Sequence, residues 1–332
     1  MSKRLIVTGP RNSRFQEVPD PDCPAGGLLV RARMTAISTG TELRVYRGIP
    51  VDRERKYLYP GFPLQFPVEN GYSMVGEVVE AGSGVSGFRP GDRVFVPQTH
   101  KQAAVSPADS ATRLPDAVPD HLGVFLSIVE VAHIALRRGD VMPGENVAII
   151  GSGLIGLSAL AYCRVFGCRT AVVDLDRSRL RVARTMGADW TGSPVEEGFT
   201  HGIMEFFGGE GADLVVEAAS TWKAVETGLD IARPGGRVVV VARHTDQPHF
   251  SPVNYPYLRK NLSLKTSYGH PPAGQRWDRR RSIALTLDYL SRGLLQFSPM
   301  ITHQFEWEEL PDVYARMDAG EAEMIGVCIN WT

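Results

Sequence analysis

The stretch Val147-Ala-Ile-Ile-Gly-Ser-Gly-Leu-Ile-Gly-Leu-Ser-Ala-Leu160 decides the fold of this chain. Its apolar start, Val147 to Ile150, is typical of a buried parallel strand. Gly151, Gly153 and Gly156 follow with the spacing G-x-G-x-x-G. In such a turn the glycines allow a tight bend, close backbone approach to a pyrophosphate, and close contact between helix and strand. The free N–H groups of the helix that follows favour a negatively charged ligand.

The residues after this turn complete a nucleotide-binding unit. A helix is predicted over Leu157–Phe166, and Thr170-Ala-Val-Val-Asp174 is predicted as the next strand. Asp174 lies where an acid binds the hydroxyls of an adenosine ribose, although a βαβ unit with an unrelated acid is the alternative. A carboxylate there repels a 2′-phosphate, which favours NAD over NADP, whereas Arg177 and Arg179 weaken that preference. The predicted cofactor-binding residues are Gly151, Ser152, Gly153, Leu154, Ile155, Asp174, Arg44 and Ala218.

Composition places the chain among ordinary globular proteins. It has 332 residues, enough for two domains, with 43% hydrophobic and 22% charged residues. A net charge of −1 argues against nucleic acid and anionic membranes as partners. No apolar run approaches the roughly 20 residues of a membrane span, and the N-terminus lacks a signal-peptide core. The scattered cysteines, Cys23, Cys163, Cys168 and Cys328, predict a reduced, cytoplasmic protein with neither disulfides nor a cysteine zinc site.

Hydrophobic periodicity divides the chain into regions. Up to about residue 122, short β-type runs alternate with Gly/Pro turns and predict a compact β domain; these are Arg4–Val7, Gly27–Ala36, Tyr72–Ala81 and Arg93–Pro97. A long polar loop, Gly48 to Asn70, lies within this region and is either a lid or substrate wall, or a plain surface loop.

Helix and strand patterns then alternate, which predicts a doubly wound parallel sheet. The predicted elements are helices over His121–Arg138, Ser178–Met186 and Trp222–Ala232, and strands over Ala212–Ala219 and Pro234–Ala242. His133, on the first helix, is interpreted as a packing residue. The C-terminal elements are strands over Asn261–Ser267, Ile301–Phe305 and Met324–Asn330, and helices over Arg279–Gly293 and Trp307–Met317.

Several motifs together resemble the medium-chain dehydrogenase/reductase superfamily. They are Glu69-Asn-Gly-Tyr-Ser-Met-Val-Gly76, Val78-Val-Glu-Ala-Gly-Ser-Gly-Val85, Gly91-Asp-Arg-Val94, the glycine turn itself, Ile301-Thr-His303 and Met317-Asp-Ala-Gly-Glu321. The resemblance implies an α/β protein. A GroES-like, β-rich catalytic domain would comprise residues 1–122 and 269–332, and an inserted Rossmann domain residues 123–268, with the active site in the cleft. It also implies a homodimer, which we expect to form by edge-to-edge pairing of the apolar strand Val238–Ala242, an interior strand of the same sheet being the alternative for these residues.

The positions of the superfamily's zinc ligands carry other residues in this chain. The first two ligand segments read Thr39-Gly-Thr-Glu42 and Gly71-Tyr-Ser73, and the third ligand falls near Ser127. Hydroxyl groups do not provide the nitrogen, sulfur or carboxylate ligands that zinc needs, and the segment Gln98–Thr112 contains no cysteine for a structural zinc lobe. We therefore predict that no zinc is bound.

The string Ile37-Ser-Thr-Gly-Thr-Glu42, together with Gly71-Tyr-Ser73 and Gly91-Asp-Arg-Val-Phe-Val-Pro97, resembles the zinc-independent branch around the bacteriochlorophyllide hydroxyethyl dehydrogenases. That resemblance implies an NAD-dependent dehydrogenase that oxidises a secondary alcohol to a ketone, or the reverse. Ring-shaped polyols, sugar-like alcohols and hydroxyethyl side chains all stay open as substrates.

Without zinc, side chains must stabilise the developing alkoxide and handle its proton. Tyr72 matches a zinc-binding histidine of the superfamily and is predicted to do this, a packed tyrosine being the alternative. Thr41 matches a proton-relay hydroxyl, and Glu42 is predicted to orient Tyr72 or Arg44, or to form a structural ion pair. Candidate substrate residues are Thr39, Ser73, Lys101 and His270.

Two other functions stay open on the sequence. One is an NAD(P)H-dependent reductase of an activated carbon–carbon double bond, as in the zinc-free quinone reductase branch, which Asp174 disfavours. The other is a protein that binds the cofactor without catalysis, which retention of Thr41 and Tyr72 disfavours.

Overall fold

The computed structural model describes residues 1–49, 65–244, 246–272, 274–321 and 323–332. Most of the polar loop 48–70 lies outside the described residues, and so does the prediction of a lid there. The strands are β1 Ser2–Gly9, β2 Asn12–Val18, β3 Gly27–Ala36, β4 Val68–Glu69, β5 Met74–Ala81, β6 Arg93–Val96, β7 Ala103–Pro107, β8 Thr112–Arg113, β9 Asn146–Ile150, β10 Arg169–Val173, β11 Trp190–Gly192, β12 Ala212–Glu217, β13 Ala232–Val240, β14 Ser263–Thr266, β15 Ile301–Glu306 and β16 Gly326–Asn330.

The helices are α1 Thr39–Tyr46, α2 Asp120–Gly123, α3 Leu126–Arg138, α4 Leu154–Val165, α5 Arg177–Thr185, α6 Phe199–Phe206, α7 Trp222–Ile231, α8 Tyr255–Arg259, α9 Arg279–Ser291 and α10 Leu310–Asp318. Short 3₁₀ turns lie at Ala108–Ser110, Ser298–Met300 and Trp307–Glu309. None of the helices in the described ranges is both long and apolar enough to cross a membrane.

The chain forms two compact units. Unit 1 comprises Met1–Ser127 and Ile301–Thr332, and unit 2 comprises Ile128–Met300. Both boundaries lie beyond the predicted bounds of 122 and 268. The second differs most because α9 packs within unit 2, where the Thr286 hydroxyl is 2.6 Å from that of Tyr162 on α4.

Unit 1 is the β-rich half of the molecule. One sheet has the order β2-β1-β4, and the other has the order β15-β16-β3-β5-β6-β8 with β7 also paired to β3. The long strand β3 is central because it pairs with β16, β5 and β7. Its inward residues join side chains from the other strands and from α10 in one core, which includes Leu28, Val30, Met74, Val94, Tyr314 and Val327.

Unit 2 is a parallel sheet with the order β11-β10-β9-β12-β13-β14. The connection from β9 leads to β10 on one side, and β12 lies on the other, so the strand order reverses at β9. The strand registers align Val173, Ile150, Glu217, Val240 and Thr266 across the sheet. We call this carboxyl end of the sheet the nucleotide edge, because ligands of doubly wound sheets bind outside the carboxyl ends of the strands.

The structure corrects the prediction that Val238–Ala242 is an edge strand. These residues belong largely to β13, which pairs with β12 on one side and β14 on the other, so a partner cannot add there. The end strand is β14, whose Leu264 is 44% exposed. The run of valines fits an interior strand because both of its faces are covered.

Candidate functional site

The glycine turn in unit 2 has the geometry that a dinucleotide requires. Gly151 has φ 97°, and a Cβ atom there would lie 2.9 Å from the Ala218 carbonyl carbon. A Cβ on Gly156 would lie 1.8 Å from the Gly151 oxygen, so the turn closes on α4 only with glycine. Gly153 precedes Leu154 and Ile155 in α4 and supplies no side-chain cap, which leaves the first helical N–H groups for an anion.

Asp174 directly follows β10 and supports this turn. Its Oδ2 accepts hydrogen bonds from the Ser152 N–H at 2.6 Å and from the Ser152 hydroxyl at 2.7 Å, and its Oδ1 accepts the Asp176 N–H at 2.9 Å. A carboxylate offers about four acceptor positions, so one remains for a ribose hydroxyl. The residues therefore fit a dinucleotide, with Asp174 shared between the turn and the ribose.

Two arginines lie close to the ribose end of this site. Arg179 forms an ion pair with Asp176 at 3.7 Å, and its guanidinium is 3.9 Å from the position of a Cβ on Gly153. Arg177 pairs with Glu196 at 3.0 Å. Arg179 is thus near enough to the turn to contact a phosphate. The prediction that Arg179 weakens the preference for NAD over NADP therefore stays open.

A buried pair on the nucleotide edge was missed from the sequence. Glu217 ends β12 and is fully buried; its Oε1 accepts the N–H groups of Ala219 and Ser220, and its Oε2 lies 2.9 Å from Nε2 of His244. This pair fixes the segment beside Ala218, whose N–H donates to Ile150 of the neighbouring strand. The sequence feature that could have identified Glu217 is its position as an acid at the end of an apolar strand.

In unit 1, hydroxyl groups form hydrogen bonds at and beside the positions of the superfamily's zinc ligands. The half-buried Tyr72 hydroxyl donates to Oγ of Ser38 at 2.5 Å. The buried Ser73 hydroxyl donates to the Val124 carbonyl and lies 3.3 Å from Oγ of Ser127. Within the described ranges, no three His, Cys, Asp or Glu side chains converge as a metal site. The residues at these positions do not fit a zinc ion.

Behind Tyr72 lies a buried polar network that centres on Glu42. Its Oε1 accepts the Ser38 N–H at 2.8 Å, and its Oε2 lies 2.9 Å from Nε2 of His100 and accepts the Tyr314 hydroxyl. Burial and the Glu42 charge raise the pKa of Tyr314, so this phenol keeps its proton. Glu42 therefore holds the Ser38 backbone, and Ser38 links it to Tyr72.

His100, Tyr314 and Asn70 were not identified from the sequence. Nδ1 of His100 is 2.7 Å from the Thr35 hydroxyl, and Asn70 donates to the Glu42 carbonyl and the Tyr314 hydroxyl. Tyr314 comes from α10, far along the chain from α1, so no local spacing shows the cluster. The position of Asn70 two residues before Tyr72 was the only sequence signal.

The other predicted residues take separate places. Thr39 and Thr41 are half-buried in the first turn of α1, and the Thr41 N–H donates to the Ser38 carbonyl. Arg44 lies in the last turn of the same helix. Lys101 pairs with Glu69 at 2.6 Å. His270 is in unit 2, with Nδ1 3.1 Å from Oε1 of Glu130.

The fold defines a protein of two units, one GroES-like and the other a Rossmann-like parallel sheet whose glycine turn fits a dinucleotide. A family model described as "Alcohol dehydrogenase GroES-like domain" matches residues 24–142, and one described as "Zinc-binding dehydrogenase" matches residues 155–279. The chain belongs to the medium-chain dehydrogenase superfamily, and its fold class is confirmed.

Individual relatives align over nearly the whole chain. An L-threonine 3-dehydrogenase from Aeromonas hydrophila is 29% identical, covering 95% of this chain and 95% of that protein. A sorbitol dehydrogenase from Halalkalibacterium halodurans is 24% identical, covering 96% and 97%. A solved Escherichia coli oxidoreductase of unknown specificity, 21% identical, has a TM-score of 0.86 and covers 99% of both chains, which shows the shared fold.

Proposed function

We propose that this chain is an NAD-dependent, zinc-independent dehydrogenase that oxidises a secondary alcohol to a ketone, or catalyses the reverse reaction. The single observation that carries the proposal is the set of hydroxyl hydrogen bonds at the zinc-ligand positions. Tyr72, at one ligand position, bonds Ser38, the neighbour of Thr39 at another, and Ser73 lies within reach of Ser127, near the third. A metal-binding group does not form from such side chains.

Bound NAD would supply the hydride acceptor, held by the glycine turn and Asp174. The protein's own contribution is then to stabilise the charge on the reacting oxygen and handle its proton. An unperturbed phenol has a pKa of about 10, so Tyr72 acts first as a hydrogen-bond donor to the alkoxide. Tyr72 has a single O–H, so its donation to the alkoxide requires the hydrogen bond with Ser38 to reverse; the Ser38 hydroxyl then donates to the Tyr72 oxygen and orients the phenol.

The buried hydrogen-bond network around Glu42 supports the proposed role of Tyr72 as a donor. A Ser38 backbone held by a buried carboxylate cannot move freely, so the hydrogen-bond partner of the Tyr72 hydroxyl stays in place. Preorganised donors stabilise developing charge more than mobile ones, because no reorganisation is needed during the reaction.

For the substrate, we propose a polyol, a sugar-like alcohol or a hydroxyethyl compound. The relatives are named for threonine, at its carbon 3, and for sorbitol, and both compounds carry secondary hydroxyl groups. Hydroxyl-rich surroundings at Tyr72, Ser38, Thr39 and Thr41 suit a substrate with several hydroxyls, since each can donate and accept.

The test is a Tyr72→Phe variant assayed by alcohol oxidation with NAD. Turnover should fall by about 100-fold, as for other oxyanion donors, while the Kd for NAD barely changes. Tyr46→Phe is the matched control, because its hydroxyl donates to the Arg11 carbonyl within the same unit. Near-normal turnover in Tyr72→Phe would remove Tyr72 from the mechanism and leave the packing interpretation.

A second candidate function is NADPH-dependent reduction of an activated double bond, which the position of Arg179 beside Gly153 favours. Assays of an enone with NADPH and of a secondary alcohol with NAD separate the two. Binding of NAD without turnover of either substrate class would favour the non-catalytic alternative.

A further inference from the structure

Unit 2 contains a pair of ionisable side chains that the proposed reaction has not used. Glu130 lies on α3 and is 1% exposed, and its Oε1 is 3.1 Å from Nδ1 of His270. These two atoms are not aligned for a hydrogen bond, and neither has another hydrogen-bond partner in the part of the chain that is described. Nε of Arg279 lies 3.6 Å from the other carboxyl oxygen. Buried polar atoms without partners call for an explanation.

The pair lies at the nucleotide edge. His270 follows the carboxyl end of β14 by four residues, and Arg138 on α3 fixes this loop by donating to the carbonyls of Thr266 and Gly269 at 3.3 Å each. Asp174 assigns the adenosine half of a dinucleotide to the β10 side of β9. The nicotinamide half therefore extends over β12 and β13, toward β14 and the His270 loop.

The charges around Glu130 come from four elements. They are His133, Arg137 and Arg138 on α3, Tyr162 on α4, His270 in the loop, and Asp278, Arg279 and Tyr289 at or on α9. Burial raises the pKa of Glu130 to about 8, against the opposing charge of Arg279. Burial, together with the charges of Arg279 and Arg138, lowers the pKa of His270. At neutral pH, Glu130 thus holds a proton and His270 is a neutral acceptor beside it.

We propose that Glu130 is a proton-holding residue at the nicotinamide end of the site and that His270 passes its proton to solvent. The O–H bond of Glu130 breaks as an N–H bond forms at Nδ1 of His270, and the proton on Nε2 leaves to water. No electrons are transferred. His270 reaches water because its side chain is 27% exposed, and loosely aligned pairs of this kind tighten when a ligand binds.

The trigger is the positive charge of oxidised nicotinamide, so the inference rests on the proposed NAD binding. A positive charge within about 4–6 Å lowers the pKa of a carboxyl by about 1–3 units. The resulting Glu130 carboxylate offsets both that charge and Arg279, and it returns to the protonated acid when the ring becomes neutral NADH. Glu130 thereby provides a temporary acceptor for the proton that alcohol oxidation releases.

Isothermal titration calorimetry in two buffers of different ionisation enthalpy counts the protons released. At pH 7, NAD⁺ binding should release about 0.4 to 0.9 of a proton per chain, since a group with a pKa of about 8 is roughly 90% protonated there and a fall of about 1–3 units leaves it about 50% to 1% protonated. NADH should release less than about 0.2. In Glu130→Gln, NAD⁺ should also release less than about 0.2, whereas the exposed control Glu205→Gln should match the wild type.

A Glu130→Gln variant that binds NAD⁺ and releases as many protons as the wild type would overturn the proposal and leave the dehydrogenase function intact. Failure of the wild-type protein to bind NAD⁺ would instead overturn the proposed cofactor and this inference with it. In the wild type, infrared difference spectra should also lose a protonated-carboxyl band on NAD⁺ addition, which checks the assignment if the variant misfolds. His270→Asn should slow proton release in stopped flow by about tenfold or more, with an unchanged final count; an unchanged rate would overturn the role of His270.

Discussion

Glu130→Gln should change the pH dependence of stability even without any cofactor. Burial raises the pKa of Glu130 from 4.5 to about 8 in the folded protein, so the folded state binds a proton that the unfolded state has lost between these pH values. Because the pKa of Glu130 is raised in the folded state, its contribution to the free energy of unfolding is fully present below pH 4.5 and is lost as the pH rises toward 8. The free energy of unfolding falls by about 1.4 kcal/mol per pH unit where the folded state binds one more proton than the unfolded state.

His133 changes the free energy of unfolding with pH in the opposite direction to Glu130, and this determines the pH range in which the effect of Glu130 can be measured. Burial, with the charge of Arg137, lowers the pKa of His133 from 6.5 to about 4, so its contribution rises with pH up to 6.5. The two effects nearly cancel between pH 4.5 and 6.5. From pH 6.5 to 8 Glu130 dominates, because His133 and His270, whose pKa is also lowered, become largely neutral in the unfolded state above pH 6.5, and stability should fall by about 2 kcal/mol.

Urea unfolding at fixed ionic strength, followed by tryptophan fluorescence, measures this fall. Wild type and Glu205→Gln should both lose about 2 kcal/mol between pH 6.5 and 8, whereas Glu130→Gln should be flat over that window. The change of the unfolding free energy with pH is compared between variants, and not its absolute value, because the buried amide of the Gln variant itself lowers stability. Parallel wild-type and Glu130→Gln curves would mean that folded Glu130 is already ionised, and the reasoning from burial would be refuted.

Three further predictions follow from the two units. NADH should bind at least about tenfold tighter than NADPH, because Asp174 repels a 2′-phosphate; fluorescence titration checks this, and tighter NADPH binding would assign the decisive role to Arg179. Elemental analysis should find less than about 0.1 zinc per chain, and chelators should leave activity intact; about one zinc per chain, lost together with activity, would contradict this. Light scattering should show a homodimer paired through the end strand β14, which Leu264→Lys converts to monomer; the control Leu175→Lys, at a more exposed position two residues beyond β10, should leave the dimer intact, and a wild-type monomer at micromolar concentration would end this idea.

The sequence by itself determined the nucleotide-binding half in some detail. An apolar run, three glycines and an acid at a strand end are local features whose spacing has one common structural solution, so Gly151 and Gly156 lie in the predicted turn and Asp174, at the end of β10, hydrogen-bonds to it. The alternation of helices and strands likewise fixed the parallel sheet, although α4 begins at Leu154 rather than at Leu157. The residue types at the superfamily's zinc-ligand positions, Thr39, Tyr72 and Ser73, with the third ligand near Ser127, were equally readable, because they depend only on the motifs.

Tertiary structure decided the partners of those residues. Glu42 was identified locally, but Tyr314 and His100, which hold its carboxylate, come from 272 and 58 residues away along the chain. Strand order decided that β14, and not the valine run of β13, ends the sheet. Glu130 and His270, on separate elements, meet only because the loop after β14 packs on α3. Local spacing reports backbone conformation, whereas burial and charge pairing depend on which distant segments the sheet brings together.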